Sequence, residues 1–142
     1  MYRISKEFKF EMAHRLSKHL GNCHNIHGHS YTVIVGLKSN SLDENGMIID
    51  FSELKHAIEN DHLNELDHAL VLSEEDSNLN EVIKEIDPKI KIQVFYFEPT
   101  AEHLSKFLYN GIKVFTALPP DVMLDYVTVY ETETSQATYS ED

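Results

Sequence analysis

Two alternating segments joined by a short polar loop constrain this chain more than any other feature. In residues 2–14, Tyr2, Ile4, Phe8, Phe10 and Met12 share one parity, and Arg3, Ser5, Glu7, Lys9 and Glu11 share the other. Successive side chains of a strand point to opposite faces, so this pattern predicts a strand with one buried and one solvated face. His14 falls on the apolar parity and is expected to face inward. In the second segment His27, His29, Tyr31, Val33, Val35 and Leu37 share the inner parity. The two read as an antiparallel pair with all three histidines on one side.

A single strand histidine is usually a hydrogen-bonded structural residue, and this chain has nine histidines. The set of three is different. Packed inward without partners, it would carry a desolvation cost that nothing repays. Three neutral imidazoles with no fourth protein ligand form the donor set of a catalytic zinc with an open coordination position. An all-nitrogen set beside a thiol favours Zn2+ over copper or iron, although iron and nickel accept the same ligands.

That thiol is Cys23, the only cysteine, so no internal disulfide can form. Three readings are open for it: a small buried hydrophobe, a fourth zinc ligand in a structural site, or a thiolate base or nucleophile beside the cation. Its polar neighbours Asn22, His24 and Asn25 count against simple burial. Asp67-His68 is a further candidate. At a turn the carboxylate could polarise an imidazole that exchanges protons; at a helix end His68 would merely rest on the dipole. Glu131 continues the inner parity of Val127 and Val129. It either emerges into solvent at the strand end or accepts paired donors from a ligand.

The remaining pattern sets the fold class. A helix is expected from Asp50, with Asp50 as cap and Glu53 reaching back, and Phe51, Leu54 and Ile58 as its stripe to about residue 63. Residues 73–89 are acidic and read as irregular with a short helix near 80–86, and 90–97 read as a short extra strand. Thr100 caps a second helix whose apolar side is Leu104, Phe107, Leu108 and Phe115, ended by Pro119-Pro120. Strands Met123–Thr132 and Ala137–Tyr139 follow. The expectation is a single α+β domain over 1–142 in the order ββααββ, with one insertion. With a formal charge of −12, nucleic acid is an unsuitable partner. No apolar run reaches membrane-spanning length and no signal peptide is legible, so a cytoplasmic protein is expected.

Taken together, these motifs resemble the 6-pyruvoyltetrahydropterin synthase and 6-carboxytetrahydropterin synthase family. The shared pattern is Phe10-Glu11-Met12-Ala13-His14-Arg15, Cys23-x-x-x-His27-Gly28-His29, Gly46-Met47-Ile48-Ile49-Asp50-Phe51, Leu66-Asp67-His68, Pro99-Thr100-Ala101-Glu102 and Glu131-Thr132. The resemblance implies the tunnelling fold, a four-stranded antiparallel sheet with two helices on one face. It implies homo-oligomers, trimers or hexamers, with active sites between subunits.

It also implies roles: His14, His27 and His29 as zinc ligands, Cys23 as proton acceptor, Asp67 and His68 as its relay, Glu131 as pterin anchor grouped with the relay, and Thr100 in the pterin pocket. Three residues between Cys23 and the His-Gly-His run, and Asp50-Phe51 after the Gly-Met, are similar to the 6-carboxytetrahydropterin synthase branch. That branch implies 7,8-dihydroneopterin triphosphate as substrate, in the pathway to queuosine and related deazapurines, with Arg15 and Lys18 as candidates for the triphosphate. A pyruvoyl-type or side-chain-cleaving relative, and a non-catalytic pterin- or zinc-binding protein, are the alternatives. The chain departs from the pattern at Ala69-Leu70-Val71-Leu72, where relatives carry Leu-Asn, and in its longer 73–97 stretch.

Overall fold

The computed structural model describes residues 1–142. Strands β1 (Tyr2–His14) and β2 (His27–Ser39) pair antiparallel along their full length, from Tyr2 opposite Ser39 to His14 opposite His27. Helix α1 (Phe51–Ile58) follows, then strand β3 (Ala69–Ser73), helix α2 (Ser77–Ile86), strand β4 (Ile92–Phe95), helix α3 (Ala101–Phe115) and strands β5 (Val122–Tyr130) and β6 (Gln136–Tyr139). They form one sheet in the order β4-β3-β1-β2-β5-β6.

The four expected strands are present as the antiparallel run β1-β2-β5-β6. The sheet nevertheless has six strands rather than four, because β3 and β4 add to the β1 edge in parallel. Strand β4 lies inside the expected 90–97 segment, but β3 was not expected. Its residues Ala69, Val71, Leu72 and Ser73 are buried, so its sequence has no alternation to read. A third helix, α2, stands where a short helix near 80–86 was expected, beginning already at Ser77 and burying no residue.

The inner faces of β1, β2 and β5 supply Phe8, Phe10, Met12, Val33, Val35, Val127 and Val129 to one apolar cluster, which Leu54 and Ile58 of α1 and Leu104, Leu108 and Ile112 of α3 complete. Phe115, the last residue of α3, does not belong to its apolar side: it is 77% exposed. Thr100 caps α3, accepting the His103 N–H at 3.2 Å. Asp50 caps α1 by accepting the Ser52 N–H at 2.7 Å; no bond returns from Glu53. The regular helix stops at Ile58 and widens into a π turn, Glu59–Leu63. There the buried His62 reaches Thr116 Oγ1 at 2.8 Å.

One glycine is fixed by contact. A Cβ on Gly36 would lie 2.2 Å from the Tyr126 ring, at the point where the β2–β5 register shifts. Leu104 is fully buried between α3 and the sheet. Leu104→Ala is expected to destabilise the fold by about 2–5 kcal/mol, seen as a lower urea midpoint with an unchanged slope.

Candidate metal and catalytic site

The β1–β2 register decides the site. His14 and His27 are directly opposite each other, and His29 lies one pleat further on the same face. One ring nitrogen from each of the three histidines lies within 4.8 Å of the other two. His14 is fully buried, and His27 and His29 are half-buried.

Two backbone carbonyls fix the tautomers. His14 Nδ1 lies 2.7 Å from Pro99 O, and His27 Nδ1 lies 2.7 Å from Asn25 O. A carbonyl only accepts, so both Nδ1 atoms carry the proton and both Nε2 atoms are left as lone pairs. Those two Nε2 atoms face each other at 3.0 Å. His29 Nε2 is buried and has no hydrogen-bond partner; its nearest polar contact is Glu131 Oε1 at 3.2 Å. Converging lone pairs repel unless a cation stands between them. Nitrogens at zinc-ligand distance from one tetrahedral ion sit about 3.3 Å apart. The donor set therefore fits a metal ion, and carbonyl-held imidazoles are the usual second layer of such a site.

A proton is a poor substitute for that cation. Burial pushes the His14 pKa down, against the Pro99 hydrogen bond and the Glu131 charge, with His27 and His29 adding to the decrease. Burial also lowers His29, against Glu131. The Tyr31 hydroxyl lies 3.4 Å from His14 Nδ1. Burial holds that phenol well above its usual range, with the charges of Glu131 and Cys23 adding to the effect, so it stays neutral.

The other candidates fall into two groups. Near the histidines are Glu131, just past the end of β5, and Thr100, next to the Pro99 carbonyl that holds His14. Cys23 sits half-buried in a 3-10 turn, Asn22–His24, close enough for its charge to act on Tyr31. It is not part of the histidine cluster.

Asp67 and His68 form the second group, in a turn before β3 rather than at a helix end. Asp67 Oδ1 accepts the Glu11 N–H at 2.9 Å and lies 3.0 Å from His68 Nδ1. His68 has a left-handed backbone, φ 61°, and its N–H donates to Glu11 O at 2.6 Å. Burial pushes the Asp67 pKa up, but the Glu11 N–H, His68 and Lys91 outweigh it and hold the carboxyl below its usual value. His68 lines a recess of about 400 Å³ with Glu11, Met12, Ala13, Gly28, His29 and Ser30 of β1 and β2. No hydrogen bond or ion pair joins Cys23 to Asp67 or His68.

Arg15 and Lys18 face carboxylates: Arg15 Nε lies 3.5 Å from Asp76, and Lys18 Nζ lies 3.8 Å from Glu75. Sequence reasoning missed Lys91, whose ammonium bonds the carbonyls of Asn64 and Asp67 and so braces the His68 turn. It also missed the Pro99 carbonyl. Backbone acceptors leave no mark in a sequence, so no pattern could have found either contact.

With this geometry established, comparison with known proteins gives a family. The sequence model described as 6-pyruvoyl tetrahydropterin synthase matches residues 3–142. The chain belongs to that family. A 6-carboxy-5,6,7,8-tetrahydropterin synthase from Haemophilus influenzae is 34% identical over 99% of this chain and 100% of that protein. One from Aquifex aeolicus is 33% identical over 99% of both. Among solved structures, an uncharacterised protein from Wolinella succinogenes superposes with a TM-score of 0.79 at 24% identity, covering 99% of this chain and 98% of that one. The Caenorhabditis elegans 6-pyruvoyl tetrahydropterin synthase gives 0.73 at 22%, over 99% of this chain and 96% of that one. These two structures share the family's fold with this chain. No helix is long and apolar enough to cross a membrane.

The lowered histidines set a pH dependence. A group whose folded pKa lies below its unfolded value binds more protons when unfolded, so it destabilises the fold as pH falls. His14, His29 and His62 are all lowered from 6.5 by burial. In the presence of a chelator, stability should therefore drop as pH falls below 6.5 toward the lower folded values. Melting temperatures at pH 7.5 and 5.5 would test this, and a higher value at pH 5.5 would contradict it.

Proposed function

We propose that this chain is a zinc-dependent 6-carboxy-5,6,7,8-tetrahydropterin synthase. It would convert 7,8-dihydroneopterin triphosphate to the 6-carboxy product, acetaldehyde and triphosphate, the chemistry of queuosine and deazapurine synthesis. The observation that carries this is the convergence of one ring nitrogen from each of His14, His27 and His29 at the end of β1 and β2, with the Cys23 turn close by. The curated relatives, matched over nearly their full length, bear the synthase name.

His14, His27 and His29 would hold the Zn2+. When bound, such an ion supplies Lewis acidity toward the hydroxyls of the substrate side chain. The rest falls to the protein. Cys23 accepts a proton from a side-chain carbon as thiolate. Asp67 anchors His68 Nδ1 and leaves the other ring nitrogen to exchange protons. Glu131 accepts parallel N–H donors from the amidine-like pterin edge, and Thr100 lines the same pocket; holding the ring is the orientation contribution to the rate.

The separation of the two residue groups supports homo-oligomeric active sites. His68 shares its recess with His29, yet no hydrogen bond or ion pair joins Asp67 or His68 to Cys23. A second copy can supply the missing partner. Strand β1 offers the edge for it: Tyr2–Glu11 pairs only with β2, since β3 covers only Met12–His14. Strand β6 pairs only with β5. Long free edges invite pairing with another chain, so a trimer or hexamer is the expected assembly.

Incubating the zinc-loaded protein with 7,8-dihydroneopterin triphosphate should yield 6-carboxytetrahydropterin and acetaldehyde by mass analysis. A pyruvoyl product would move the chain to the sister activity. Cys23→Ala should keep metal and fold and lose turnover; loss of zinc instead would make Cys23 a ligand. Cys23→Ala and His68→Ala subunits, each inactive alone, should regain part of the activity when dissociated and reassembled together. No recovery would rule out sites shared between copies.

A further inference from the structure

Glu98 and Pro99 together link several parts of the site, and Glu98 lies outside the sequence motifs. It is half-buried and precedes the buried Pro99. Its carboxylate accepts the Ser17 N–H at 3.2 Å and also the Ser17 hydroxyl. The adjacent Leu16 N–H donates to the Cys23 carbonyl at 2.9 Å. On its backbone side, Glu98 O accepts the Thr100 N–H and the His103 ring N–H, each at 2.8 Å. Pro99 O then accepts from His14 Nδ1 at 2.7 Å. Two consecutive residues thus bond the buried histidine, the base of the loop that ends in Cys23, and the first turn of α3.

We propose that Glu98 is a positioning residue that sets where the Cys23 turn stands relative to the three-histidine cluster. This rests on the reading that Cys23 acts on a substrate held at that cluster. Two physical points favour it. First, few other contacts anchor the loop. Residues 15–25 are half-buried or exposed and contribute nothing to the apolar core. Its ion pairs to the 73–76 turn are loose, and the Lys18–Glu75 pair is exposed at both ends. Exposed pairs of this kind contribute little. Second, the chemistry matches: an ionised carboxylate is an acceptor with two oxygens, and Ser17 presents two donors to it. Glutamine keeps one acceptor oxygen for the N–H and can donate its amide to the hydroxyl, whereas alanine keeps neither contact.

The test compares zinc-loaded wild type, Glu98→Ala, Glu98→Gln and Ser17→Ala. The readouts are bound metal, the rate of Cys23 alkylation by iodoacetamide, and kcat and KM with 7,8-dihydroneopterin triphosphate. Displacing a reacting group by an ångström costs up to about 100-fold in rate. Glu98→Ala should therefore keep its metal and lose about 10–100-fold in kcat with little change in KM. Its Cys23 alkylation rate should change severalfold. Glu98→Gln should recover most of both.

Wild-type alkylation and kcat in Glu98→Ala would overturn the proposal. Glu98→Gln as impaired as Glu98→Ala would assign the effect to charge and also overturn it. Should Glu98→Ala fail to fold, Ser17→Ala removes only the hydroxyl contact on the loop and must shift alkylation in the same sense; an unshifted rate would refute the clamp. If wild type itself does not turn over, the functional reading fails, while the alkylation comparison still decides the role of Glu98.

Discussion

The antiparallel register between β1 and β2 is the constraint on which the rest depends. It sets His14 against His27 and leaves His29 on the same face. The same register puts Phe8, Phe10, Met12, Val33 and Val35 into the core. A slip of one residue would turn every side chain of one strand to the other face. It would expose the core and scatter the histidines in a single step. The stability of the sheet and the assembly of the candidate metal site are thus enforced by one set of hydrogen bonds.

The imidazoles of His14 and His27 are then held by backbone carbonyls. Carbonyls of Pro99 and Asn25 choose the tautomers of His14 and His27, and burial keeps His14 and His29 from being protonated. A rigid carbonyl placed by a helix start is a steadier partner than a flexible carboxylate. Pro99 can play this part because Thr100 caps α3 immediately after it, which fixes the chain direction at the turn. The cap belongs to local helix chemistry, yet it acts on a residue far away in sequence.

The segment between β3 and α3 serves the site from outside. Glu75 and Asp76 meet Lys18 and Arg15, Glu98 holds Ser17, and Lys91 braces the turn that keeps His68 in its left-handed conformation. A stretch that looks like an acidic insertion in the sequence is, in the folded chain, the source of supports for both groups of candidate residues. The acidic charge of the chain is partly spent here, on neutralising the few basic side chains near the site.

The sequence alone determined the paired strands, the inward parity of all three histidines, the two core helices with their Asp50 and Thr100 caps, and the family pattern. All of these rest on periodicity or on neighbours close in the chain, which a sequence displays directly. It did not determine β3, whose burial removes the alternation, or the full extent of α2, whose helix buries nothing. It placed Phe115 on the apolar side of α3, although that last helical residue is exposed. It could not show that no hydrogen bond or ion pair joins Cys23 to Asp67 or His68 within one chain. Only the tertiary structure decided these points, and only it revealed Pro99, Lys91 and Glu98 as supports. Their contacts join residues distant in sequence, mostly through backbone groups that every residue carries alike.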